Sequence, residues 1–175
     1  TLQEQGSWFT FSNKFKVSDK IFFGHTLQMR RVDFIENVQV MLLKPSFNFA
    51  PSKKISVGIG FTYFDSFANG ENHASIKKNE MRVWQHFTYN TLLGNTIFNN
   101  RFVFEERFKD VIDKTQNPNI INGTSYAQRF RYRVTIAFNL FSLKNEKFIL
   151  GKVSNELRIR FKNGLSESEF DQNNF

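Results

Sequence analysis

The chain has 175 residues, of which 23 are Phe, and it carries a formal net charge of +8. It contains no cysteine, which excludes disulfides and thiolate metal sites. It also contains no apolar run near the ~18 residues that a transmembrane helix requires. The length suits one domain. A chain so rich in Phe, with a mean hydropathy of only −0.43, must keep its apolar and polar side chains apart.

Alternation of apolar and polar residues supplies that separation along most of the chain. Successive side chains of a strand leave opposite faces, so a period of two predicts strands. The alternating stretches predict eight strands, at about 8–17, 21–33, 38–49, 55–64, 79–91, 97–108, 128–140 and 148–162. Short turns follow the odd-numbered strands, whereas longer polar stretches follow the fourth, sixth and eighth strands, at 65–78, 110–124 and 163–175. We therefore predict an antiparallel up-and-down β-barrel.

Two strands contain residues that constrain the barrel further. Pro45 lies inside the third strand and cannot donate a backbone hydrogen bond, which indicates a bulge or an interruption there. The fourth strand places small residues on its polar face, including Gly58 and Gly60. These small residues leave room for bulky side chains across a narrow interior.

The polar face of the strands is dominated by arginine and glutamate. In the seventh strand Arg129, Arg131 and Arg133 share one face. Arginine is favoured over lysine where charges are confined, because its planar fork satisfies several acceptors. We predict that these charges line the lumen of the barrel. The residues, called the charge ladder below, are Glu80, Arg82, Arg101, Glu105, Arg107, Arg129, Arg131, Arg133, Glu156, Arg158 and Arg160.

The opposite face of the strands is apolar and aromatic. A soluble lipocalin-like barrel would turn this face inward and present a mixture of Lys, Glu and Asp to solvent. A transmembrane barrel does the reverse, and the Arg-dominated polar face favours that interpretation. We predict that one set of aromatic side chains faces lipid or a partner: Phe102, Phe104, Phe130, Tyr132, Phe138 and Phe161.

Four short motifs carry a resemblance to a known family. They are Glu80-x-Arg82-x-Trp84-Gln85, Arg101-x-x-x-Glu105-x-Arg107, Arg129-x-Arg131-x-Arg133 and Asp171-Gln172-Asn173. On these motifs the chain resembles a bacterial family, frequent in the Bacteroidetes, that is filed as a domain of unknown function and consists of predicted outer-membrane β-barrels. In that family further strands follow the Asp-Gln-Asn segment. The resemblance therefore implies a Gram-negative outer-membrane protein, with residues 1–175 as one C-terminally incomplete barrel domain of ten or more strands. It implies no activity.

We expect a non-enzymatic, accessory or structural role, as a subunit of a larger outer-membrane complex. Membrane lipid and other outer-membrane proteins are the expected partners. Three alternatives remain open: a narrow anion or solute pore, a barrel-embedded lipid hydrolase, and a soluble binding barrel. A hydrolase would need His86 beside a nucleophile such as Ser56, whereas His25 and His73 fall on the other face and in a loop.

Other ligand classes find little support, and we expect no cofactor, metal or nucleic acid. The three histidines are scattered, although Asp65, Glu71 and Asn72 are the residue types that bind Ca²⁺ and lie in one polar loop. Single-strand nucleic-acid binders place aromatic and basic groups on the same face. Here these groups lie on opposite faces.

Overall fold

The computed structural model describes residues 6–70, 75–142, 148–162 and 167–174. Within these ranges the chain is all β, and no helix long and apolar enough to cross a membrane is present. The nine strands found there are β1 (Ser7–Lys16), β2 (Ile21–Val32), β3 (Asn37–Phe49), β4 (Ile55–Ser66), β5 (Lys78–Leu93), β6 (Thr96–Asp113), β7 (Ile120–Ser142), β8 (Phe148–Lys162) and β9 (Glu167–Asn174).

The strands form one antiparallel meander in which each strand pairs with its neighbours in the chain. The sheet begins at β1 and ends at β9, so these two strands are its edges. The sheet curls into a half-barrel, and side chains from distant strands meet on its concave side. Lys44 of β3 and Glu156 of β8, for example, line the same small cavity of 70 Å³.

The connections define two ends of the half-barrel. The turn end carries the connections after β1, β3 and β5, at 17–20, 50–54 and 94–95. The loop end carries the connections after β2, β4 and β6, at 33–36, 67–77 and 114–119. Strands β1 to β8 run between these two ends, so the height of a residue in the half-barrel follows from its position in its strand.

All eight predicted strands are present, which confirms the antiparallel up-and-down fold. The prediction was wrong at two polar stretches. The stretch 110–124 is mostly strand, because pairing of β6 with β7 resumes beyond a register shift and joins Ile112 to Ile121. The stretch 163–175 contains β9, so the connection after β8 is short. Backbone hydrogen bonds to β8 do not require apolar alternation in β9.

Pro45 interrupts the sheet on one side only. It lies opposite His25 in the continuous pairing of β2 with β3. On the β4 side the paired residues run from Leu43 directly to Ser46, without a change of register. The interruption expected from the sequence is confirmed. A proline lacks the N–H that this side of the ladder requires.

The two faces of the sheet have opposite polarity. Large apolar side chains cover the convex face and remain exposed, as in Ile59 with 61% of its surface accessible. Among the described residues only three hydrophobic side chains are buried, those of Val32, Trp84 and Val103. The buried polar and charged residues are Asn48, Thr62, Thr88, Glu105, Arg107, Arg129 and Glu156. The interior is therefore polar, the reverse of a soluble domain.

Candidate functional site

The strand register places the whole charge ladder on the concave face. Residues directly opposite one another on neighbouring strands share a face. Arg82 is opposite Arg107, and Glu105 is opposite both Trp84 and Arg129. The same face continues into β8. There Glu156 is opposite Arg133, Arg158 is opposite Arg131, and Arg160 is opposite Arg129.

A network of ion pairs occupies the middle of this face, and we call it the central cluster. It consists of Glu105, Arg129, Arg131, Glu156 and Arg158. Glu105, only 3% exposed, accepts hydrogen bonds from Arg129 Nε at 2.7 Å and Arg131 Nη1 at 2.8 Å. Arg131 Nη2 also donates to both carboxylate oxygens of Glu156, at 2.8 and 2.9 Å, and Arg158 Nε donates to Oε1 at 2.7 Å. The carboxylates of Glu105 and Glu156 thus each accept hydrogen bonds from two guanidinium groups.

A second ion-pair group lies nearer the loop end. Glu80 Oε1 accepts hydrogen bonds from Arg82 Nε at 2.6 Å and from Arg107 Nε at 2.7 Å. The guanidinium of Arg82 also lies over the ring of Phe64, 4.2 Å from its centroid. Buried ion pairs add little net stability compared with apolar packing, but removing one partner strands the other charge. The two groups therefore fix how β5, β6, β7 and β8 are aligned.

Two aromatic rings form a floor on the concave face beside the central cluster. The rings of Trp84 and His86 stack with 5.9 Å between their centroids and 28° between their planes. Each covers a glycine of β4: a Cβ added to Gly60 would clash with the Trp84 ring, and one added to Gly58 would lie 2.7 Å from His86 Cε1. Trp84 Nε1 donates to Thr62 Oγ1 at 2.9 Å. The small residues of β4 thus make room for bulky residues of β5.

A cavity of 460 Å³ opens above this floor, towards the turn end, and we call it the cationic cavity. It is lined by residues of β1 to β7, and its charged lining residues are all cations: Lys14, Lys44, Arg101 and Arg133. Arg101 is directly opposite Arg133. Within the described part of the chain, the buried Nε atoms of these two arginines have no hydrogen-bond partner.

The six aromatic residues predicted to face lipid or a partner share the convex face. Phe102 stacks on Tyr132 with 4.9 Å between ring centroids, and it lies 6.4 Å from Phe130. Phe104 is opposite Phe130, and Phe138 and Phe161 fall on the same face by register. An apolar groove of 510 Å³ runs beside Phe102, Phe104 and Phe130. Contact of this face with lipid or a partner stays a prediction.

The two histidines that the structure describes, His25 and His86, do not form the arrangement that a hydrolase requires. His86 and Ser56 both line the cationic cavity, but Ser56 is opposite Thr88 rather than His86. His86 Nδ1 is buried and has no hydrogen-bond partner among the described residues. His25 lies on the convex face, with its ring 5.7 Å from that of Phe15. His73 lies outside the described residues.

A metal site is not found in the part of the chain that the structure describes. There, no group of three or more His, Asp or Glu side chains is arranged to hold a metal ion. Of the loop residues considered for Ca²⁺, Glu71 and Asn72 lie outside the described ranges.

Sequence reasoning did not include Lys44 among the site residues. Alternation placed it on the polar face of β3, but alternation does not show which side chains face it across the half-barrel. The structure brings its Nζ to 4.8 Å from the Trp84 ring centroid. Lys44 also lines both cavities of the concave face, of 460 and 70 Å³, together with Arg101 and Arg133.

Together, fold and site define an all-β half-barrel with a charged concave face. The chain belongs to the family described as Protein of unknown function (DUF2490), whose model matches residues 5–175. The resemblance to a family of unknown function is thereby confirmed. No curated protein and no solved structure matches the chain.

Proposed function

We propose that this protein is a non-enzymatic outer-membrane β-barrel of a Gram-negative bacterium, with an accessory or structural role in a larger complex. The inverted polarity of the sheet carries the proposal. The convex face exposes large apolar side chains such as Phe11 and Ile59, at 57% and 61%, while charged groups fill the concave face. Water penalises such an exposed apolar surface, whereas lipid accommodates it.

The dimensions of the strands support a membrane-spanning role. A tilted β-strand crosses the hydrocarbon core with about 9–11 residues. β1 has 10 residues, and β2 to β6 have 12 to 18. Each of these strands is therefore long enough to cross, and its convex side chains would contact lipid along the way.

The two edges of the sheet require pairing in a membrane. Lipid offers no hydrogen-bond partners for an open edge, so a spanning sheet must close on itself. In an antiparallel meander of nine strands the first and last strands run in the same direction. Antiparallel closure therefore needs at least one further strand between β9 and β1, and we propose a barrel of ten or more strands.

The interior supports an occluded barrel. Side chains can fill most of the lumen of a small barrel. Here the central cluster crosses the concave face from β6 to β8, and Lys44 reaches across from β3 to the cavity beside it. A lumen blocked in this way conducts poorly, which favours an accessory or structural role over a pore.

Extraction from membranes tests the location. We expect the protein to resist extraction without detergent, to dissolve in mild detergent, and to migrate faster on a gel before heating than after, as folded barrels do. Quantitative release by salt or alkali without detergent would contradict the proposal. The soluble lipocalin-like barrel would then take its place.

Reconstitution and co-purification test the role. After mild solubilisation from the native membrane, we expect a stoichiometric protein partner, and we expect purified protein in a planar bilayer to give no unitary currents. Stable, anion-selective currents would contradict the accessory role and favour the pore. Phospholipid hydrolysis that is lost in a His86→Ala variant would favour the hydrolase.

A further inference from the structure

We propose that the cationic cavity is a binding site for a phosphoryl group, either of a phosphorylated solute or of a lipid head group. The site would be formed by Lys44, Arg101 and Arg133 above the floor of Trp84 and His86. It consists of concave-face residues only, so it does not depend on what covers the convex face. It is also distinct from the central cluster, whose arginines are paired with glutamates.

The cavity lining carries an excess of positive charge. The cavity holds four cationic side chains, and none of the residues lining it is acidic. Arg101 and Arg133 are directly opposite one another, an arrangement of like charges that is unfavourable unless something neutralises it. Within the described residues, neither arginine forms a salt bridge. The nearby carboxylates of Glu105 and Glu156 are already occupied by Arg129, Arg131 and Arg158.

Unsatisfied donors are the second observation. The Nε atoms of Arg101 and Arg133 are buried without a partner among the described residues. Buried polar groups normally have a hydrogen-bond partner, and leaving one unpaired destabilises the fold. An oxyanion between the two guanidinium groups would accept from both and neutralise them. Phosphoryl oxygens match the fork geometry of arginine well.

The cavity is shaped to admit such a ligand. Its volume of 460 Å³ falls within the range of about 300–1,000 Å³ that small-molecule sites occupy. Lys44, Trp84, Arg101 and Arg133 also line the smaller cavity of 70 Å³, together with Arg131 and Glu156, which are paired with each other. These four residues therefore mark the deepest part of the site, where the phosphoryl group would lie.

Neutral polar groups continue from this deepest part towards the turn end. They include the hydroxyl and amide side chains of Ser12, Thr26, Ser46, Asn48, Asn90 and Asn99. Some are already tied to one another, as in the bond from Asn99 Nδ2 to Asn90 Oδ1 at 2.6 Å. This wall of hydrogen-bonding groups suits a hydroxylated substituent on the phosphoryl group, such as glycerol. The site thus favours a phosphate monoester over a simple carboxylate.

Fluorescence of Trp84 provides a direct test with the full chain in detergent. The protein has two tryptophans, so a Trp8→Phe variant leaves Trp84 as the sole reporter. We expect titration with inorganic phosphate to give a saturable change in its emission, whereas sodium chloride at matched ionic strength gives none. In the same background, Arg101→Gln and Arg133→Gln should each weaken phosphate binding at least tenfold, through loss of a charge-assisted contact.

Lys53→Gln is the matched control. It also removes one positive charge near the turn end, but Lys53 is exposed in the connection between β3 and β4 and does not line the cavity. We expect its affinity for phosphate to stay within twofold of the parent. Lys44→Gln serves as a third cavity variant if one arginine variant does not fold. The absence of a saturable change, or equal affinity in the cavity and control variants, would overturn the proposal.

Two further titrations distinguish the source of the phosphoryl group. Glycerol 1-phosphate in solution should bind more tightly than inorganic phosphate if a phosphorylated solute is the ligand. If a lipid head group is the ligand, micelles doped with phosphatidic acid should compete with phosphate at lower phosphoester concentrations than glycerol 1-phosphate does. Failure of both to compete with phosphate would reduce the site to a binder of adventitious anions and overturn the proposal.

Discussion

Arg131 and Arg133 lie two residues apart on the same strand and point into the same concave face, yet their surroundings differ completely. Arg131 holds two buried carboxylates, those of Glu105 and Glu156, at 2.8 Å each. Arg133 is opposite Glu156 in register, but the carboxylate turns to Arg131 and Arg158 instead. The neighbour of Arg133 on the other side is Arg101, a like charge.

One repeated sequence pattern therefore serves two purposes in this protein. In the central cluster, arginine and glutamate satisfy one another and fix the strand register. In the cationic cavity, arginine and lysine are gathered without an ion-paired carboxylate among the described residues, because the nearby Glu105 and Glu156 bind other arginines. Cationic side chains that are not ion-paired destabilise the fold. Their presence at a site where carboxylates could have paired with them indicates a ligand. Substitutions at the two sites should therefore have opposite effects on stability.

Arg131→Ala should have the largest effect. It leaves Glu105, 3% exposed, with one arginine fewer and removes the bidentate contact to Glu156. Breaking a buried ion pair costs about 3–5 kcal/mol, and we expect a loss near the lower end because Arg131 retains some exposure. Urea unfolding in detergent micelles, followed by the heat-dependent gel shift, measures it.

Arg133→Ala is the matched control for that variant. It removes the same side chain from the same strand and face, but no ion pair among the described residues. We expect no destabilisation. If Arg131→Ala left the unfolding transition and the gel shift unchanged, the central cluster would not be the element that fixes register.

Gly60→Ala should have an intermediate effect, because it tests the floor on which the cavity rests. The added methyl would clash with the ring of Trp84 and displace its hydrogen bond to Thr62. Overpacking of this kind costs about 1–3 kcal/mol. Unfolding monitored by Trp84 emission, in the Trp8→Phe background, reports both the loss of stability and the change in the ring's environment.

Gly24→Ala is the comparison for the floor variant. The one close contact of its added methyl would be with the hydroxyl of Ser46, at 2.9 Å, a small group that can turn away with the loss of its hydrogen bonds to Gly24 O and Asn48 Nδ2. We expect a smaller loss of stability and an unchanged emission maximum. Equal losses in the two glycine variants would mean that Trp84 can move aside and that the floor is not rigid.

Arg133→Gln should have the smallest effect, and its sign is the informative part. In phosphate-free buffer it relieves the repulsion from Arg101 and should stabilise the protein by about 0.5 kcal/mol, in the range for directly opposed like charges. Added salt should reduce the gain, because screening weakens the repulsion in the parent protein. Destabilisation in phosphate-free buffer would show that Arg133 already has a counter-charge.

The sequence predicts the fold well because the strands are amphipathic. Alternation alone identified eight strands and assigned both faces, including the position of the charge ladder. It missed β9, where Asp171, Gln172, Asn173 and Asn174 are polar without alternation. It also took the outer part of the β6–β7 hairpin for a loop, because polar residues there pair through their backbones.

The sequence does not predict that the polar face divides into the central cluster and the cationic cavity, and the reason is different. A period of two tells which residues share a face but not their register across strands. Glu105 and Glu156 both bind Arg131 through their side chains, although neither is directly opposite it in register. That Arg101 would lie opposite Arg133, with Lys44 across the half-barrel, depends on register and curvature together. Neither can be derived from the alternation of one strand.

The convex face of the sheet is the one proposed to contact lipid, and two adjacent residues of β2 test this assignment. The protein has no native cysteine, so Leu27→Cys and Thr26→Cys each provide a single labelling site. Leu27 is 45% exposed on the convex face, whereas Thr26 lines the cationic cavity at nearly the same height. Each variant would carry a thiol-reactive fluorophore and be reconstituted in vesicles that contain spin-labelled lipid.

We expect strong quenching of the fluorophore at position 27 by the lipid spin label, and little quenching at position 26. A water-soluble quencher should give no stronger effect at position 27 than at position 26. Equal and weak lipid quenching at both positions would contradict a membrane-spanning sheet. Stronger lipid quenching at position 26 would contradict the assignment of the concave face to the interior.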